Sequence, residues 1–152
     1  MTTIATDGKV IAADSRTTYG NIVATEKCKK IFEYKDGSVV GCGGNRGEIR
    51  DFKKWCQNGR IDSERPELED FFAVELTPSG KLYGYDNSCT RIKVEPPFAA
   101  GTGGDIALGA MLSGKSPKEA VELAIKKDIY SGGKVLIKAA CKKKRKQQNS
   151  NK

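Results

Sequence analysis

The stretch Thr2-Thr3-Ile4-Ala5-Thr6-Asp7-Gly8-Lys9-Val10-Ile11-Ala12-Ala13-Asp14 decides the fold. Two short runs rich in apolar and β-branched residues flank Asp7-Gly8, and Asp-Gly between such runs is a strong hairpin signal. A two-residue loop pairs Thr6 with Lys9, sets Thr2 opposite Ala13 and leaves Asp14 one place further on. The turn alone therefore returns Asp14 to the neighbourhood of Thr2. Which face Asp14 uses is left open by this pairing.

The same device recurs downstream. Ile31 to Lys35 and Ser38 to Gly41 flank Asp36-Gly37. Pairing Lys35 with Ser38 sets Phe32 opposite Gly41 and Lys30 opposite Gly43, so Lys30 arrives beside Gly41-Cys42-Gly43-Gly44. Glycines in such a run allow another backbone to approach closely. Residues 46 to 57 have helical spacing in Ile49, Phe52, Lys53 and Cys56, and Asn58-Gly59 closes them. Residues 71 to 76, 81 to 85 and 91 to 94 read as strands. A short small-residue run, 99 to 104, leads into a helix over 105 to 112. Ser116-Pro117-Lys118-Glu119 is a full helix start, with an N-cap serine, a proline in the first turn and a glutamate that completes a capping box. That helix ends near Asp128, and Ser131-Gly132-Gly133 turns the chain into a last strand over 134 to 140. This order predicts a layered α+β domain with helices packed on sheets.

Composition narrows the function. The chain has 152 residues, enough for one compact domain with a real core. Its net charge is +8, but six of the positive charges lie in Lys142 to Lys152, which holds no acid. The domain, residues 2–141, is nearly neutral and shows no nucleic-acid face, while 142–152 reads as a disordered basic tail. No apolar run is long enough to span a bilayer, and the N-terminus lacks the pattern of a secretory signal. These features predict a cytoplasmic protein with no membrane partner. The five cysteines include no C-x-x-C pair, which argues against a disulfide framework or a zinc site. No cofactor or metal is expected.

The chain contains no histidine, which excludes Ser-His-Asp and Cys-His catalysis. A hydrolase of this composition can instead use a nucleophile whose base is its own α-amine. A free α-amine titrates at about 8, so much of it is neutral at physiological pH. Thr2 fits once Met1 is removed. A nearby cation would lower the hydroxyl pKa, and a carboxylate would hold that cation.

Thr2-Thr3-Ile4, Asp14-Ser15-Arg16-Thr17-Thr18-x-Gly20-Asn21, Lys29-Lys30-Ile31, Gly41-x-Gly43-Gly44 and Asp128-x-Tyr130-Ser131-Gly132-Gly133 together resemble proteasome β-subunits and their bacterial relative HslV. The resemblance spans roughly 2–47 and 98–138. It implies a four-layer αββα sandwich, the N-terminal-nucleophile (Ntn) hydrolase fold, and a threonine-type endopeptidase. By it, Thr2 is the nucleophile, Lys30 lowers its hydroxyl pKa, Asp14 holds Lys30, and the Gly41 N–H stabilises the oxyanion. Asp128 and Ser131 orient the amine and a water. Thr18 and Gly43 pair with an extended peptide, and Thr102 and Gly103 stand where the family often has Ser-Gly. The resemblance further implies a homo-oligomeric ring acting on protein or peptide substrates, with an unfoldase ATPase as a candidate partner.

Two features depart from the family. The middle, 58 to 97, is short, which predicts one truncated helical layer. Activation is expected to need only Met1 removal. Two rival readings follow. One is the same fold as a non-catalytic ring or scaffold subunit. The other is nucleotide binding, because Gly109 to Ser116 matches G-x-x-x-x-G-K-[ST]; that loop must follow a strand and open a helix at its Gly-Lys.

Overall fold

A computed structural model describes residues 2–141. The basic tail expected over 142–152 lies outside the described residues. The described residues form eleven strands and three α-helices: β1 (Thr3–Thr6), β2 (Val10–Ala13), β3 (Thr17–Tyr19), β4 (Ile22–Thr25), β5 (Ile31–Glu33), β6 (Val39–Gly44), α1 (Arg46–Gln57), β7 (Phe71–Leu76), β8 (Leu82–Tyr85), β9 (Arg91–Val94), β10 (Phe98–Gly101), α2 (Gly104–Leu112), α3 (Pro117–Ile125) and β11 (Leu136–Ala139). One sheet has the order β10-β1-β2-β11, another β5-β6-β7-β8-β9, and β3-β4 form a separate hairpin. That hairpin is absent from the sequence reading above.

Alternation along the central strands assigns each face to a layer. Ile4, Ile11 and Ala13 meet Ile31, Val39, Val74, Leu76 and Leu82 between the two sheets. Ala5 and Ala12, on the opposite face of the first sheet, pack on Ala107, Met111, Ala120, Val121 and Ala124 of α2 and α3. The outer face of the second sheet carries α1, with Phe52, Trp55 and Cys56 against Val40, Cys42, Phe71, Ala73 and Tyr85. Phe52 is fully buried, worth about 1.5–3 kcal/mol over an exposed ring. The layers therefore run α, β, β, α, as expected. Between α1 and β10 the only further helix among the described residues is a single 3₁₀ turn, Asp62–Glu64. Glu75 is buried beneath α1, and Arg60 and Arg91 pair with it, so its charge is compensated.

Both hairpin registers differ from those expected. In the first, Ile4 faces Ala13 and Thr6 faces Ile11. The loop is longer because the Asp7 carboxylate accepts the N–H groups of Lys9 and Val10, and Thr6 Oγ1 accepts that of Gly8. The shift is by two, so every side chain keeps its face; Ile4 replaces Thr2 opposite Ala13, and Thr3 comes opposite Asp14. In the second hairpin Ile31 faces Gly41 and Phe32 faces Val40. Here Gly37 adopts φ +89°, the left-handed position that closes a three-residue loop. Lys30 consequently faces Cys42, not Gly43, and its carbonyl accepts the Cys42 N–H at 2.9 Å.

The phosphate-loop reading fails on geometry. Gly109 lies inside α2, and Gly114, at φ +97°, follows the end of that helix. Ser116 then caps α3 through a reciprocal bond pair with Glu119. The Gly-Lys therefore ends one helix instead of opening another.

Candidate active site

Asp14 follows β2 and is completely buried. Its Oδ1 accepts the Thr3 N–H at 3.0 Å and the Lys30 ammonium at 2.9 Å. Its Oδ2 accepts the Arg16 N–H at 3.1 Å and the Gly132 N–H at 3.0 Å. Four donors and no acceptor surround the group, the environment of an ionised carboxylate. Lys30, which immediately precedes β5, is also buried. Burial pulls its pKa below the ordinary lysine value, against the opposing pull of Asp14.

A second carboxylate lies on the loop after α3. Asp128 Oδ2 accepts the Ser131 hydroxyl at 2.5 Å and the Thr102 hydroxyl at 2.6 Å, and Oδ1 accepts the Tyr130 N–H at 3.1 Å. Partial burial works against its ionisation, but these donors outweigh it and hold its pKa below the usual carboxylate value. Ser131 Oγ is also 2.7 Å from Thr3 Oγ1. Gly103 packs against that hydroxyl and against Asp128, and a side chain there would collide with Thr3 Oγ1.

Thr2 precedes β1 and is buried. The amide that follows it is the one bound to Asp14. Its carbonyl lies against Gly101, which has φ +96° and no room for a Cβ. The structure thus gathers Asp14 and Lys30 around the amide after Thr2, and joins the Thr3 hydroxyl through Ser131 to Asp128, which Thr102 also binds.

The glycine run needs correction. Residues of an inner antiparallel strand direct both backbone groups alternately to one neighbour and the other. The Cys42 N–H goes to Lys30, on the β5 side, and the Asn45 N–H goes to Asp70, on the β7 side. Gly41 and Gly43 therefore face Val74 and Phe72 of β7, and the sheet uses their N–H groups. Gly41 cannot serve an oxyanion in this arrangement, nor Gly43 an added peptide strand. Gly44 ends β6 and directs its N–H to the β5 side, beyond the end of β5. It has φ +110°, and a Cβ there would strike the Asp70 carbonyl. Thr18 is half-buried in the β3–β4 hairpin, paired with Val23, and has no bond to either carboxylate.

Sequence reasoning missed Thr3, Gly44, Gly101 and the Gly132 N–H. It also passed over the Arg16 side chain, which donates to Glu26 and to the Ile129 carbonyl at 2.9 Å. The doubled Thr2-Thr3 was the available signal for Thr3, because adjacent strand residues face opposite ways.

The αββα layers and the strand order are those of an Ntn-hydrolase fold. A family model described as "Proteasome subunit" matches residues 2–66. A proteasome subunit beta of Nanoarchaeum equitans is 25% identical, with 94% of each chain covered. A proteasome subunit beta 2 of Pyrococcus abyssi is 24% identical, covering 88% of this chain and 82% of that one. Among solved structures, eukaryotic HslV from Trypanosoma brucei superposes with a TM-score of 0.71 at 16% identity, covering 90% of this chain and 97% of that one. Thiobacillus denitrificans BPH gives 0.64 at 20% identity, with 91% and 97% covered. The chain is similar in sequence to proteasome β-subunits and shares its fold with HslV.

Proposed function

We propose that this chain is a threonine-type endopeptidase whose nucleophile is Thr2 after removal of Met1. The observation that carries the reading is the Asp14 carboxylate, whose single Oδ1 holds both the Lys30 ammonium and the amide following Thr2. A buried cation beside an N-terminal threonine serves to lower the hydroxyl pKa. Threonine peptidase chemistry is also the general type of the family.

In this mechanism the neutral α-amine of Thr2 takes the hydroxyl proton, and Oγ1 attacks the peptide carbonyl. The Gly44 N–H, in place of Gly41, receives the oxyanion. Collapse expels the amine product, which leaves with a proton returned by the α-ammonium. Water then hydrolyses the ester on Thr2, with Asp128 and Ser131 orienting the amine and that water. The substrate is an extended peptide, met by Thr18 and by Gly44, which takes over the role expected of Gly43.

The working form is a homo-oligomeric ring in the cytoplasm, fed by an unfoldase ATPase. Support for an assembly comes from the β3–β4 hairpin, which exposes Tyr19, Ile22 and Val23. Apolar side chains grouped in this way mark surfaces that another protein covers. No helix among the described residues is long and apolar enough to cross a membrane.

The test is intact-mass analysis of N-terminally processed protein treated with a threonine-directed electrophile. An adduct on Thr2, lost in Thr2→Ala along with cleavage of fluorogenic peptides, is the expected result. No adduct and no cleavage in any assembly state would make the chain a non-catalytic ring subunit.

A further inference from the structure

Thr3 sits between the two carboxylate centres, and it is completely buried. Its N–H binds Asp14 Oδ1 and its hydroxyl touches Ser131 Oγ. The direction of the hydroxyl chain follows from proton counting. Ser131 has one hydroxyl proton, and Asp128 takes it at 2.5 Å. Ser131 Oγ can then only accept from Thr3, so protons point from Thr3 to Ser131 to Asp128. Gly103 closes the space around the Thr3 hydroxyl, leaving that hydroxyl little room to turn elsewhere.

We infer that Thr3 is a positioning residue: its hydroxyl locks the Ser131 rotamer onto Asp128, while its backbone ties that pair to the Asp14–Lys30 pair. The catalytic part of this inference rests on the peptidase reading above. Thr3 touches neither substrate nor reacting atoms and acts through Ser131. A chain of hydroxyls ending on a carboxylate strengthens each link, so removing the first donor loosens the second. Ser131 then samples other rotamers, and Asp128 loses part of its stabilisation. The charged groups that act on Asp128, the N-terminal ammonium and Lys30, are the same in every variant compared below.

The experiment compares processed wild type, Thr3→Val and Thr3→Ser. Valine keeps the shape without the hydroxyl, and serine keeps the hydroxyl. Thr3→Val should lower kcat about tenfold, the effect of roughly one lost buried hydrogen bond, with KM unchanged. Thr3→Ser should restore most of it. Thr3→Val combined with Ser131→Ala should be no slower than Ser131→Ala alone. A readout free of turnover is the ¹³C NMR titration of the Asp128 carboxyl, whose midpoint should rise in Thr3→Val and return in Thr3→Ser. The inference is overturned if Thr3→Val keeps both wild-type kcat and the wild-type Asp128 titration, or if Thr3→Ser is as impaired as Thr3→Val. Should wild type take no adduct on Thr2, the peptidase reading fails and the Asp128 titration alone decides the role of Thr3. If Thr3→Val does not fold, Thr3→Cys, with its weak thiol donor, supplies the same contrast.

Discussion

Asp14→Asn is the sharpest perturbation of this molecule, because it replaces a single oxygen by an NH₂ group in a fully buried site. The carboxylate receives two donors on each oxygen: Thr3 N–H and Lys30 on one, Arg16 N–H and Gly132 N–H on the other. An amide offers one oxygen and one NH₂ group, and the NH₂ would point at donors. Two hydrogen bonds to a charged group are lost whichever way the amide turns. At about 1.5–3 kcal/mol each, the cost is about 3–6 kcal/mol. That is a large share of the 5–15 kcal/mol typical of a whole domain. With an m-value of about 2 kcal/mol/M, the urea midpoint should fall by roughly 2 M. Lys30 would also lose its anion in a site where burial already lowers its pKa, and would give up its proton more readily. Turnover should therefore fall more than stability alone explains. The assay is urea denaturation followed by circular dichroism, with peptide cleavage measured in the native baseline. A midpoint within about 0.5 M of wild type, near 1 kcal/mol on the same m-value, would refute the argument that Asp14 organises the site.

Two further outcomes follow from the same geometry. Gly101→Ala places a Cβ at φ +96° against the Thr2 carbonyl; it should cost about 1–3 kcal/mol in chemical denaturation and slow electrophile labelling of Thr2. The pH profile of cleavage should be bell-shaped, rising as the α-amine loses its proton, with a midpoint at or below about 8. It should fall again as Lys30, needed as the ammonium, deprotonates. Burial lowers that pKa, so the upper limb should lie below the ordinary lysine value of about 10.4, and it should be absent in Lys30→Ala.

Much of the fold was legible because it rests on local chemistry. The capping box at Ser116 and Glu119, the helix over 46 to 57 and the strands at 71 to 76 and 91 to 94 are written in neighbouring residues. The β3–β4 hairpin escaped notice because it is short and mostly exposed, so no buried face imposes alternation. Site residues carried on family motifs, Asp14 with Lys30 and Asp128 with Ser131, do form close pairs in the structure. The glycines did not sort themselves, since Gly41, Gly43 and Gly44 are chemically identical in a string of letters.

By itself, then, the sequence determined the layers, the absence of imidazole chemistry and the return of Asp14 toward Thr2. Tertiary structure alone decided the registers, through side chains that reshaped the turns: Asp7 capping the Lys9 and Val10 amides, and Gly37 taking the left-handed position. Register in turn decided which N–H the sheet consumes and which it leaves at its end, and so moved the candidate oxyanion donor from Gly41 to Gly44. It also set Ile4, not Thr2, opposite Ala13 and so brought Thr3 to Asp14. Hydrogen-bond direction depends on the parity of pairing between strands, and parity is fixed only when both strands and their turn are in place.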